Sequence, residues 1–378
     1  MEIVFWISLF FILYPPLLYP LVVAALGRLW PRPIDRRAIS PEVTLLIPAY
    51  NEAEVIGATL ANKLSLDYPR EKLQILVVSD GSTDGTEEIV RGFQDRGVEL
   101  LRQEPRRGKA AALNAAVRRA RGEILAFSDA NSSFEPGTLR ALVENFADPG
   151  VGYVTGSLGY LGEAGSTSGS GIRAYMTYEN RIRRLESRFH SIVGVNGGVD
   201  AMRRSLYVDV PENQITDFVL PLHVMGQGQR VVYDERAAAT ERANTEVGTE
   251  FRMRVRVALR SLQALAYMRS LLDPLRQPRA AFCLGSHKVL RYAAPAFLLI
   301  ALVTSLALAP SQPFYAGLAA VQLLGYSLGA LALFARVRPL GRVVSAAGYF
   351  LLTNAAFAVA VIKWMRGDTM ATWRPRGG

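Results

Sequence analysis

The chain has 378 residues, half of them hydrophobic, and its 43 Lys and Arg against 33 Asp and Glu give a formal net charge of +10. Cys283 is the only cysteine, which excludes an intramolecular disulfide, and His190, His223 and His287 lie too far apart to supply the ligand spacing of a hydrolytic zinc centre. The positive surplus raises the question of nucleic acid, but no nucleic-acid-binding signature is present and the arginines gather beside apolar runs, so we read no nucleic-acid partner.

The first predicted element occupies residues 1–30. Ile3 to Gly27 carries no charge, and about 20 apolar residues suffice to cross roughly 30 Å of hydrocarbon as a helix. It has no basic leading region and no small-residue cleavage site, so it reads as an anchor and not as a signal peptide. Arg28, Arg32, Arg36 and Arg37 follow it at once. By the positive-inside rule these arginines, and the polar stretch after them, belong in the cytoplasm of a cell (inner) membrane protein.

Residues 40–275 form the predicted cytoplasmic domain. Strand-like and helix-like runs alternate: "VTLLIP", then a helix from Glu52; "LQILVV", then a helix from Asp84; "VELLR", then an alanine-rich helix over Lys109–Arg121; "EILAFS", a helix near Pro136–Phe146, and "VGYVTGSL". Strands joined by helical crossovers predict an α/β fold, a mostly parallel Rossmann-like sheet with helices on both faces. Ligands of such sheets sit beyond the carboxyl ends of the strands. Here those ends carry "PAYNE", "SDGSTD" and "SDANS", three polar clusters that converge on one rim.

Asp80, Ser82, Asp84 and Gly85 also fit the first half of a calcium loop, but its twelfth position is Arg91 and a strand precedes it, so that reading fails. Strand, tight turn and helix remain, with Asp84 as predicted N-cap and Glu87 completing a capping box. No Gly-x-Gly-x-x-Gly opens the first helix and there is no Walker loop, which excludes the usual dinucleotide and triphosphate cradles. An acidic rim instead predicts a divalent cation bridging a protein carboxylate and substrate phosphates. "GEAGSTSGSG" (Gly162–Gly171) reads as a mobile loop.

Residues 276–365 hold three more uncharged segments, 292–309, 314–335 and 343–362, each long enough to span. Arg279, Lys288 and Arg291 precede the first, and Arg336, Arg338 and Arg342 lie between the second and third. Four crossings would carry the basic tail, residues 366–378, to the outside, against the charge rule unless one C-terminal run is re-entrant or interfacial.

The motifs, taken in order, resemble the family 2 glycosyltransferases, whose nucleotide-sugar-binding fold is called GT-A. "IPAYNE" and "VVSDGSTDGT" look like the first two nucleotide-binding segments, "RRGKAAALNAA" like the Gly-Lys helix start, and "FSDANS" like the Asp-x-Asp metal motif. "ITDFVLPLHVMGQGQRVVY" is similar to the segment holding the catalytic Asp, and "FRMRVRVALRSLQAL" to the Arg-rich acceptor-side helix. The likeness runs from about Pro41 to Leu265, and the membrane flanks resemble the branch that includes cellulose, hyaluronan and poly-N-acetylglucosamine synthases.

This resemblance implies an inverting hexosyltransferase that takes a nucleotide sugar, a UDP-sugar favoured, to a lipid or glycan acceptor at the membrane. Asp80 would accept a hydrogen bond from the base, with Tyr50 and Glu52 flanking base and ribose. Lys109, at its helix start, would face the diphosphate. Asp129 and Asn131 would hold Mg2+ or Mn2+, Asn131 standing where the family has a second Asp. Asp217 would be the general base. Arg254 and Arg256 match the basic pair of the Gln-x-x-Arg-Trp motif, whose Gln and Trp positions are here Met253 and Val257. "VNGGVDAMRR" (Val195–Arg204) resembles the glycine turn on the acceptor side, and Trp373 a gating segment. The alternatives are a processive polysaccharide synthase and a nucleotide-sugar-binding membrane subunit without catalysis. Loss of the stacking Trp at Val257 weighs against the processive one.

Overall fold

In a computed structural model, residues 1–161, 167–242, 247–334 and 342–368 are described. Eight strands form one sheet: β1 (Val43–Ala49), β2 (Leu73–Ser79), β3 (Val98–Arg102), β4 (Ile124–Phe127), β5 (Ser133–Phe134), β6 (Val151–Leu161), β7 (Asp200–Arg203) and β8 (Arg230–Arg242), in the order β3-β2-β1-β4-β7-β6-β8-β5. The first four in space are parallel, as the alternating pattern predicts. β7 then runs antiparallel to both β4 and β6, and β5 antiparallel to β8, so the sheet is mixed.

Every residue of β1 and β2 is buried. A parallel strand covered on both faces needs a continuous apolar run, and "VTLLIP" and "LQILVV" supply it. Successive side chains point to opposite faces, so Leu45 and Ile47 join Ile75 and Val77 in one core while Leu46 joins Leu76, Leu125 and Tyr153 in the other. Each fully buried Leu or Ile contributes roughly 1.5–3 kcal/mol. The register pairs Ala49 with Ser79 and Leu46 with Phe127, so these strands finish beside one another and the polar residues after them open on the same edge.

Among the described residues four helices are long and apolar enough to cross a membrane: Glu2–Leu29, Pro278–Leu308, Pro313–Leu333 and Val343–Met365. The first widens into a π-helical turn at Tyr14–Leu18, where Pro15 and Pro16 lack the N–H groups of a regular α-helical ladder. The second begins at Pro278, so Arg279, Lys288 and Arg291 lie within it. The last span packs against the helix Val247–Tyr267, which ties membrane region and sheet domain together.

Two local expectations are corrected. Gly85, with φ of 91°, occupies the N-cap of the helix Thr86–Arg91, while Asp84 accepts from Thr86 N at 3.1 Å and from Ala53 N at 3.0 Å. Asp84 therefore joins two turns, and Glu87 turns away to accept from Ser79 Oγ instead of closing a capping box. The loop expected at Gly162–Gly171 is helical from Thr167 onward, where the helix Thr167–Phe189 begins; residues 162–166 lie outside the described residues. Trp373, like Arg336 and Arg338, also lies outside them.

Candidate active site

Three segments remote in sequence meet at one ammonium. Asp129 follows β4 by two residues, Lys109 is the first residue of the helix Lys109–Val117, and Asp217 sits in the first turn of the helix Thr216–Gly226. Lys109 Nζ donates to Asp129 Oδ1 at 2.8 Å and to Asp217 Oδ2 at 3.2 Å. Burial alone would lower the lysine's pKa, but the two carboxylates outweigh it and raise it, so the ammonium stays charged. Asp217 is not the N-cap of its helix; Ile215 is.

Each corner of this triad is held from behind. Asp80 follows β2 and is buried; Oδ1 accepts from Gln103 Nε2 at 2.7 Å and Arg107 N at 2.8 Å, and Oδ2 from Gly108 N at 2.8 Å. These bonds fix the loop that presents Lys109. Beneath Asp129–Asn131, Thr59 Oγ1 donates to Ala130 O at 2.6 Å. The fully buried Lys63 donates to Ser132 O at 2.6 Å, and Ser132 Oγ donates to the buried Glu241. On the far side the Gly197–Gly198 turn presses close. A Cβ on Gly197 (φ 87°) would lie 2.7 Å from Asp217 Oδ2, and one on Gly198 2.7 Å from Glu241 Oε1. Only glycine lets the backbone approach both carboxylates so nearly.

Asp200, at the start of β7, supports that turn: Oδ2 accepts from Gly197 N at 3.1 Å and Tyr153 OH at 2.9 Å, and Oδ1 from Thr155 Oγ1. Burial pushes its pKa up to about 7; the hydroxyl bonds pull it down and the Asp217 charge adds to the rise. A folded pKa above the unfolded value of roughly 3.9 means that stability is complete below pH ~4 and is lost as pH climbs through ~7. Asp200→Asn is therefore expected to flatten the pH dependence of thermal unfolding over that window, by a few kcal/mol at most. Identical pH slopes for variant and wild type would count against this account.

The triad opens into a cavity of about 390 Å³ that continues from the strand ends to the membrane helices. Glu52, Asp80, Lys109, Asp129, Asn131, Asp217, Arg254 and Arg256 all line it. Tyr50 does not; the Arg106 guanidinium stacks 3.5 Å from the centre of its ring. Arg254 is engaged locally, pairing with Glu250 at 2.7 Å and donating to the Tyr349 hydroxyl of the last span. Met253 and Val257 also face the cavity, so it is lined by thioether and valine where the resembling motif has an amide and an indole.

Among the described residues no group of three or more His, Cys, Asp or Glu is arranged to hold a metal. The oxygen donors present, the Asp129 carboxylate and the Asn131 amide, fit a hard dication that takes its remaining ligands from substrate phosphates and water. Lys63, Glu241 and Asp200 were not picked out from the sequence. Lys63 and Glu241 belong to no motif and Asp200 is unmarked within "VNGGVDAMRR", so each carries no signal until its partners from other segments are seen.

Residues 44–210 match the profile of the family described as Glycosyl transferase family 2. Glycosyltransferase AglE of Haloferax volcanii is 37% identical over 130 residues, which make up 34% of this chain and 43% of AglE. Poly-beta-1,6-N-acetyl-D-glucosamine synthase of Staphylococcus aureus is 28% identical over 227 residues, 57% of this chain and 53% of that one. The chain thus spans about half the length of these curated relatives. The mannosyltransferase PcManGT from Pyrobaculum calidifontis, solved in complex with GDP-Man and Mn2+, superposes with a TM-score of 0.76 at 26% identity, covering 97% of this chain and 99% of that one.

Proposed function

From the premise that this chain is a member of glycosyl transferase family 2, we propose that it moves a sugar, with inversion, from a nucleotide-sugar donor to a lipid or lipid-linked glycan at the cytoplasmic face of a membrane. The observation that carries this reading is the meeting of Asp129 and Asp217 on Lys109, inside a cavity that runs on to the membrane helices.

In this reading the acceptor hydroxyl oxygen attacks the anomeric carbon, and the bond from that carbon to the diphosphate oxygen breaks. The hydroxyl proton passes to the Asp217 carboxylate. The nucleoside diphosphate departs on the opposite face with the bonding pair, and Lys109 lies beside the carboxylates to steady its charge. A divalent cation, Mg2+ or Mn2+, held by Asp129 and Asn131 would neutralise the diphosphate. Asp80 already accepts three donors from the 103–108 loop. A base N–H would be added to these bonds, since a carboxylate has about four acceptor positions. That acceptor-only character suits the imino N–H of uracil and equally the N1–H of guanine, the base of the donor in the solved PcManGT complex. The arginines after the first span support a cytoplasmic position for the sheet domain.

The test uses purified full-length protein with a panel of UDP- and GDP-sugars, each with Mg2+ or Mn2+, scoring release of nucleoside diphosphate. Release from one donor, dependent on one cation, is expected. Failure of every donor both to bind and to turn over would refute the reading. Product length then separates single addition, which we expect, from a processive synthase.

A further inference from the structure

The cavity does not stop at the carboxylates. Its far end is lined by Arg183, from the helix Thr167–Phe189, and by Lys288 and Arg291, from the helix Pro278–Leu308. Arg291 is neutralised by the buried Glu179, to which it donates directly, and that carboxylate also faces His287. Among the described residues neither Arg183 nor Lys288 makes an ion pair, although the Glu179 and Glu186 carboxylates attract Lys288 from beyond contact distance. Arg183 is buried and donates to neutral oxygens only, Gly194 O at 2.9 Å and Asn180 Oδ1 at 2.7 Å. Lys288 makes no hydrogen bond or ion pair among the described residues. Both converge on Gly194: a Cβ there would lie 2.5 Å from Lys288 Nζ.

Two cations at the inner end of a cavity, with no carboxylate in contact, are costly unless an anion joins them. Sulfate-like or phosphate-like oxygens suit both an ammonium and a guanidinium. Just beyond them the lining turns apolar, with Tyr292 and Phe357 edge to face, 5.1 Å apart, on two membrane helices. Charge followed by apolar surface at the membrane matches a headgroup followed by an acyl or isoprenoid chain.

We propose that Arg183 and Lys288 hold the phosphate of a membrane lipid that is, or carries, the sugar acceptor. This rests on the transferase reading above and narrows its acceptor to an anionic lipid. The cations grip the phosphate at the membrane end, and the headgroup hydroxyl reaches back along the cavity toward Asp217.

Full-length protein is reconstituted in phosphatidylcholine nanodiscs with and without phosphatidic acid. Lipid retained on extraction is counted by mass spectrometry, and nucleotide affinity is measured in the same samples by calorimetry. Wild type is expected to retain phosphatidic acid in preference to phosphatidylcholine by about tenfold. Lys288→Gln and Arg183→Gln lose that preference, Lys288→Arg restores it, and nucleotide affinity stays the same in all. Retention by Lys288→Gln equal to wild type overturns the proposal. Inorganic phosphate displacing the lipid at equal affinity overturns the assignment to a lipid. Absence of nucleotide binding in wild type would instead refute the donor reading, and the lipid comparison would still be read independently.

Discussion

In membranes carrying Asp217→Asn, sugar transfer is expected to fall by roughly 10²–10⁴-fold while the protein accumulates normally and still binds nucleotide sugar. The amide has the shape of the carboxylate, and its oxygen can accept from Lys109 Nζ, which lies 3.2 Å from Asp217 Oδ2. The fold loses little, because Asp217 does not cap its helix. What the amide cannot do is take a proton from an attacking hydroxyl at neutral pH. Initial rates with labelled donor, beside nucleotide binding in the same preparation, check this. A variant that transfers at the wild-type rate removes Asp217 from the chemistry, and a variant that no longer binds nucleotide shows that its role is structural.

Much of this site was legible in the sequence because each piece sits at a marked boundary. "ILAFS" before Asp129 is an apolar strand with a polar end, Gly108-Lys109 announces a helix start, and six such segments in order resemble one family. The parallel half of the sheet followed from the same boundaries. The mixed half beyond β4 did not, apart from β6, whose "VGYVTGSL" already reads as a strand. β7 is four residues long, and β8 passes through Asp234, Glu235 and Arg236 in mid-strand, with register shifts against β6, so neither shows the period of an apolar strand. Lys288 and Arg291 were read as charges flanking a span, since one sequence cannot show that the helix begins at Pro278 and turns them toward the cavity. Tyr50 was expected beside the base from the family resemblance alone; that its ring is stacked on Arg106, a contact made from another loop, no single motif could show.

The position of Lys109 between two carboxylates, not visible in any one motif, leads to the second large effect. Lys109→Met should move two observables in opposite directions. Without the ammonium, Asp129 and Asp217 face one another with no cation between them. Unit charges about 4 Å apart interact by roughly 4 kcal/mol at an effective dielectric of 20. A divalent ion entering at Asp129 then meets no competing ammonium and a stronger negative field, so Mn2+ should bind at least about tenfold more tightly, as read by titration of its paramagnetic signal. Transfer should nevertheless drop by about 10²–10³-fold, since the charge proposed to steady the departing diphosphate has gone. Asp129→Ala is the control with a different signature, because it loses cation affinity and transfer together. A solvated lysine of no consequence would leave both Mn2+ affinity and rate unchanged on substitution. Weaker Mn2+ binding in Lys109→Met would mean that the ammonium organises the cation site instead of competing for it.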